Sequence, residues 1–154
     1  MTRAVEPPFP FFVYGTLRPG ERHHRRFLHG RTVAERPALL HGAVLYDGPG
    51  HPYATAGAGT ITGTLIEVDP AGHGELLAAL DALEEYAGPG NPRNRYDRVA
   101  REVAPAPSAP PVLAWVYLAS PRLARELLAG GAAIPGGDWL SRAAGPVPPV
   151  PRTP

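Results

Sequence analysis

The order of elements along this 154-residue chain predicts an α+β domain. Short apolar or β-branched runs bounded by Gly and Pro come first, and a helix with one apolar stripe follows at 70–86. Two more strand-like runs then precede a second capped helix at 121–129. Strands, one helix, more strands and one helix is not the one-for-one alternation of a repeating βαβ fold.

Each element has a local reason. Residues 9–14 are aromatic and bounded by prolines and a glycine, so they read as a strand. The charged stretch 21–30 holds only Phe27 and Leu28 as large apolar residues and reads as a short helix or turn. Strands follow at 32–40, 42–46 and 60–68, with Gly48-Pro49-Gly50 breaking the second from what comes next. Asp69 and Pro70 suit the cap and first position of the helix, which is expected to run to about Tyr86, and Gly88-Pro89-Gly90-Asn91-Pro92 ends it. Residues 96–103 form a strand, 105–111 a stiff Pro-rich connection, and 112–118 a strand apolar on both faces, hence doubly covered. Ser120-Pro121 starts the last helix. Residues 1–144 read as one domain and the Pro-rich 145–154 as an extended or disordered tail.

Composition excludes several chemistries. There is no cysteine, so no disulfide, thiolate nucleophile or Cys-based metal site. A net charge of +1 gives no global field for nucleic acid or membrane. No segment approaches the roughly 18 apolar residues needed to span a bilayer, and residues 1–8 have no apolar run of signal-peptide length, so a cytoplasmic protein is expected. Nothing in the sequence speaks to oligomeric state. None of Ser108, Ser120 and Ser141 sits in a nucleophile elbow. His23 and His24 lie among Arg22, Arg25 and Arg26, which oppose a metal ion, and read as part of a basic surface turn. His41, His51 and His73 are isolated and read as structural or solvent-exposed.

Two features carry chemistry. The run Tyr14-Gly15-Thr16-Leu17 leaves the first strand in a tight turn; taken alone it reads as a plain strand-ending turn, though such a turn can aim several backbone N–H groups at one anion or developing oxyanion. On the helix, at about 100° per residue, Leu76, Leu77, Leu80 and Leu83 share a face, with Glu84 roughly 50° from its centre and Glu85 roughly 150° away. Glu84 therefore sits at the edge of the apolar stripe near the helix C-terminus. Burial and the negative end of the helix dipole both disfavour its ionised form, which suits acid–base work near neutral pH. The competing reading is a glutamate satisfied by Arg93, Arg95 or Arg98, a common structural pairing.

Taken in order, Val13-Tyr14-Gly15-Thr16-Leu17-Arg18, Leu80-Asp81-Ala82-Leu83-Glu84, Tyr96-Asp97-Arg98-Val99 and Ala114-Trp115-Val116-Tyr117 resemble the signature of the gamma-glutamylcyclotransferase-like (AIG2-like) superfamily over about residues 9–140. The resemblance implies a small mixed β-barrel flanked by helices, with a cavity at one end. It implies release of 5-oxoproline from a γ-glutamyl amine, amino acid or peptide, without metal or cofactor. Glu84 takes the place of the catalytic glutamate, Gly15, Thr16 and Leu17 supply substrate-binding N–H groups, and Tyr14, Tyr96 and Tyr117 are candidates to line the cavity. For Tyr117 core packing is an equal alternative, and for Tyr96 a surface position. Loops near 47–55 and 88–95 are expected to form the walls that choose the leaving amine. Many relatives have Gly directly after the catalytic glutamate, where this chain has Glu85. A small-molecule binding module without activity is the rival on the same fold.

Overall fold

The computed structural model describes residues 8–48, 51–105 and 109–140, so the expected tail at 145–154 and the middle of the Pro-rich connection lie outside the described residues. Five strands close into a barrel in the order β1-β3-β2-β4-β5. They are β1 (Phe11–Val13), β2 (Thr32–Tyr46), β3 (Tyr53–Val68), β4 (Tyr96–Pro105) and β5 (Val112–Ala119). All pairings are antiparallel except β1 with β5, which closes the barrel in parallel at Phe11 and Trp115. The helices are α1 (His73–Leu83) and α2 (Pro121–Gly130), with a single π turn at His24–Leu28. Among the described residues no helix is long and apolar enough to cross a membrane.

Three boundaries differ from the sequence expectation. The strands expected at 32–40 and 42–46 are one strand, kinked between His41 and Ala43. Gly42 takes φ +80° there, and Gly57 and Gly59 on β3 lie so close to Val44 and the Ala43 carbonyl that a Cβ would meet them at 2.9 and 2.8 Å. The partner strand starts at Tyr53 rather than Thr60, because pairing with 43–46 recruits an Ala/Gly-rich run of weak intrinsic strand preference. The Asp69-Pro70 start holds as a one-turn 3-10 segment, Pro70–Gly72, but α1 ends at Leu83 and not at Tyr86.

Alternation along the strands divides the core in two. Phe12, Leu40, Ile61, Leu65, Val103 and Val116 come from all five strands and pack together inside the barrel. The intervening residues Phe11, Val13, Ile66, Trp115 and Tyr117 point the other way and receive Leu76, Leu77 and Leu80 of α1 and Leu123 and Leu127 of α2. Strand β5 is thus covered on both faces, as its continuous apolar run predicts. His73 is structural: it is buried, bonds the Phe9 carbonyl at 2.8 Å and stacks on Phe11, tying the start of α1 to β1.

Candidate active site

All seven residues picked out by the sequence, Tyr14, Gly15, Thr16, Leu17, Glu84, Tyr96 and Tyr117, line one open cleft of about 180 Å³. The turn after β1 forms its floor. Tyr14 anchors the turn by donating from its hydroxyl to the Tyr117 carbonyl at 2.5 Å. Gly15 is required by close approach, since a Cβ there would lie 2.7 Å from Cδ of Pro52. The bonds that shape the turn run from Arg18 N–H to the Gly15 carbonyl (3.0 Å) and from His23 and His24 N–H to the Thr16 carbonyl (3.0 and 3.1 Å). The N–H groups of Gly15, Thr16 and Leu17 are not donors in that set.

Glu84 reaches the cleft from the other side because of how α1 stops. Tyr86 N–H bonds the Asp81 carbonyl and Glu85 N–H the Ala82 carbonyl, at 2.9 and 3.3 Å, while Glu85 takes φ +56°. This is a Schellman termination with Glu85 in the left-handed position, usually Gly. The departure seen in the sequence therefore keeps the turn but imposes it on a side chain. It fixes Glu84 as the C-cap and sends the chain away toward the 88–95 loop. Among the described residues the Glu84 side chain makes no hydrogen bond or ion pair. Burial lifts its pKa from 4.5 to about 7, with Arg95 opposing and Glu85 adding to the rise.

The pairing that sequence reasoning offered to Glu84 goes to Asp81 instead. Arg98 bonds Asp81 through Nε (2.8 Å) and Nη2 (3.2 Å), and its guanidinium lies 4.3 Å from the Trp115 ring centroid. Tyr117 donates to Asp81 Oδ1 at 2.7 Å. Tyr117 thus both packs in the core and walls the cleft. Tyr96 is a buried wall residue, with its ring parallel to Tyr53 at 5.9 Å. Burial, ahead of the nearby carboxylates, pushes the phenols of Tyr14, Tyr96 and Tyr117 above their ordinary range, so they stay neutral.

Other cleft residues include His23, His51, Pro52 and Arg95, none of which the sequence reading assigned individually to the site. His23 and His51 correct the reading of a surface turn and an isolated histidine. The basic segment folds back so that Thr16 Oγ1 and His23 Nδ1 meet at 2.6 Å, and His51 packs edge-on against Tyr53 at 4.8 Å. Burial, then nearby arginines, holds both imidazoles below their ordinary pKa. Pro52 and Arg95 lie in the two loops expected to wall the cavity, which was the available signal.

Comparison with known proteins agrees with this architecture. The family profile described as gamma-glutamyl cyclotransferase, AIG2-like, matches residues 11–141. A curated relative from Niallia circulans, gamma-L-glutamyl-butirosin B gamma-glutamyl cyclotransferase, is 36% identical over 107 residues, covering 70% of this chain and 64% of that protein's length. An AIG2-like protein from Mus musculus superposes with a TM-score of 0.56 at 25% identity, over 75% of this chain and 82% of that one. An uncharacterized protein from Pyrococcus horikoshii gives 0.58 at 22% identity, over 88% and 93%, and speaks to the fold alone. With the profile spanning every strand and both helices, the chain belongs to the gamma-glutamyl cyclotransferase, AIG2-like family.

Proposed function

We propose that this protein is a cofactor-free γ-glutamyl cyclotransferase that releases 5-oxoproline from a small-molecule γ-glutamyl substrate. The observation that carries the reading is Glu84, unpaired and lining the same cleft as the Gly15–Leu17 turn. A γ-glutamyl group carries its own nucleophile, the α-amine, so the protein has only to fold the substrate until that amine meets the γ-carbonyl. Glu84 takes a proton from the α-ammonium group. The freed amine attacks the carbon of the γ-carbonyl group and closes the five-membered ring. The tetrahedral centre then collapses: Glu84 gives its proton to the leaving nitrogen as the C–N bond breaks, then takes the second proton from the ring nitrogen and passes it to the released amine, which departs as an ammonium ion. A carboxyl group with a pKa of about 7 performs these transfers near neutral pH. The N–H groups of Gly15, Thr16 and Leu17 hold the substrate carboxylate or the oxygen of the scissile amide. The neutral phenols of Tyr14, Tyr96 and Tyr117 wall the site.

The test is 5-oxoproline release from a panel of γ-glutamyl amines, amino acids and glutathione, with wild type beside Glu84→Gln. Release by wild type, reduced by about 10²–10⁴ in the variant, supports the reading. Equal release by both removes Glu84 from the mechanism. Ligand-induced thermal shifts without release from any compound favour a binding module.

A further inference from the structure

We propose that Arg95 forms a subsite for a carboxylate on the leaving amine, so that the preferred substrates are γ-glutamyl amino acids or peptides bearing a free carboxylate near the scissile amide, in preference to γ-glutamyl derivatives of neutral or cationic amines. This rests on the γ-glutamyl cyclotransferase reading of the cleft.

Arg95 lines the cleft on the side of Glu84 and Tyr96. Its backbone is pinned on both sides, the N–H to the Glu85 carbonyl at 3.0 Å and the carbonyl to Ser120 N–H at 2.9 Å. Its side chain is held by phenols, Nη2 donating to the Tyr53 hydroxyl at 2.7 Å, with the guanidinium 5.4 Å from the Tyr53 ring centroid and the Tyr96 hydroxyl beside it. Tyr53 is itself fixed between Tyr96 and His51. A guanidinium carries five N–H donors, and the neighbouring phenols of Tyr53 and Tyr96 can occupy only part of them. Its remaining fork matches a planar carboxylate.

The contrast with Arg98 is direct. Arg98 spends its fork on Asp81, while Arg95 makes no ion pair among the described residues. The surrounding charge favours an anion. Every charged group that perturbs His23 or His51 is cationic: Arg22 and Arg26 act on the first, Arg95 and Arg22 on the second. Against these stand Glu85, exposed at the edge of the cleft, and the half-ionised Glu84. The α-carboxylate of the glutamyl group does not compete for this site if the turn N–H groups hold it, and it is common to every substrate.

That last point makes the test clean. γ-Glutamyl-alanine and γ-glutamyl-alaninamide differ only in the leaving-group carboxylate. Wild type is expected to prefer the first by about 10- to 100-fold in kcat/KM, and to use the γ-glutamyl monoamide of ethylenediamine, with its cationic leaving group, worst. Arg95→Gln should bring the ratio of the matched pair to near one, and Arg95→Glu should invert it. Tyr53→Phe, which keeps the ring stack but frees the guanidinium, should lower the ratio part of the way. No preference in wild type overturns the proposal, and so does an equal loss on both compounds in Arg95→Gln, which would place Arg95 at the glutamyl group or behind Glu84. If no compound is turned over, the cyclotransferase reading fails, and calorimetric binding of the same pair decides the subsite. Tighter binding of γ-glutamyl-alanine that vanishes in Arg95→Gln supports it, and equal binding overturns it.

Discussion

Asp81 and Glu84 are carboxylates three residues apart at the end of the same helix, and their surroundings are opposite. Asp81 faces β4 and β5, where Arg98 grips it through two nitrogens and Tyr117 adds a third donor. Glu84, one turn further, meets the open cleft without a side-chain hydrogen bond or ion pair, and burial raises its pKa to about 7. One corner is satisfied by its partners, and the other is desolvated and left without one. The difference arises from the register of β4 beneath α1. Arg98 falls under Asp81, and Arg95 is drawn off by Tyr53. The pairing that would have neutralised Glu84 is thereby withheld from it, which keeps its proton mobile.

The comparison breaks differently at each corner. Glu84→Gln is expected to cost the most in rate, the 10²–10⁴ given above. Asp81→Ala should instead cost stability, about 3–5 kcal/mol, because it removes the carboxylate paired with the buried Arg98 charge. Urea unfolding of both variants would separate the roles, and an Asp81→Ala protein as stable as wild type would remove the structural assignment. Glu84 has the opposite effect on stability. Its folded pKa lies above the unfolded 4.5, so the native state binds more protons between pH 4.5 and about 7. Stability is therefore fullest below 4.5 and falls as pH rises through about 7, by about 3 kcal/mol in all. Glu84→Gln should melt about 5–10 °C above wild type at pH 8 and level with it at pH 4. The same titration predicts that kcat/KM rises with pH through an apparent pKa near 7. Tyr117→Phe, which removes one of the three donors to Asp81, should cost about 1 kcal/mol in the same urea measurement.

Much of this was legible in the sequence, and the gaps have physical causes. Leu76, Leu77 and Leu80 mark the buried face of α1 by periodicity alone, and that face places Glu84 at the edge of the apolar stripe. The turn at Gly15, Thr16 and Leu17 was legible from a strand running into glycine, but its place in the site, with Tyr14, was legible only through the resemblance of the four motifs to the family. Residues 53–59 were not legible as strand, since their Ala and Gly side chains say nothing until β2 pairs with them. His23 was illegible as a cleft residue because long-range folding brings it there, while for His51 and Arg95 the sequence marked the wall loops at 47–55 and 88–95 but not the individual side chains. His23 arrives through the turn that clamps Thr16, His51 through the start of β3, and Arg95 through the Glu85 carbonyl. Local pattern marks the helix and the turn, and it cannot reveal which of several arginines a carboxylate will meet.

The smallest expected effect lies just past the second corner, at Glu85. It is the one non-glycine residue with positive φ among the described residues, at +56°. The Schellman bonds hold it there, and they also set Glu84 at the C-cap. A side chain in the left-handed region costs roughly 1–2 kcal/mol, which glycine avoids, while glycine loses up to about 1 kcal/mol through the greater freedom of the unfolded chain. Glu85→Gly should therefore stabilise the protein by about 0.5–1 kcal/mol. It should also lower the pKa of Glu84, because the Glu85 charge helps to raise it. The acid limb of the kcat/KM profile would then move to lower pH while the protein melts slightly higher. Glu85→Gln separates the two effects, since it removes the charge and keeps the strained backbone. If the limb moves in both variants but melting rises only in Glu85→Gly, then Glu85 acts on Glu84 through charge and on α1 through backbone strain. If the limb moves in neither, burial alone sets the reactive corner, and Glu85 matters only for how the helix ends.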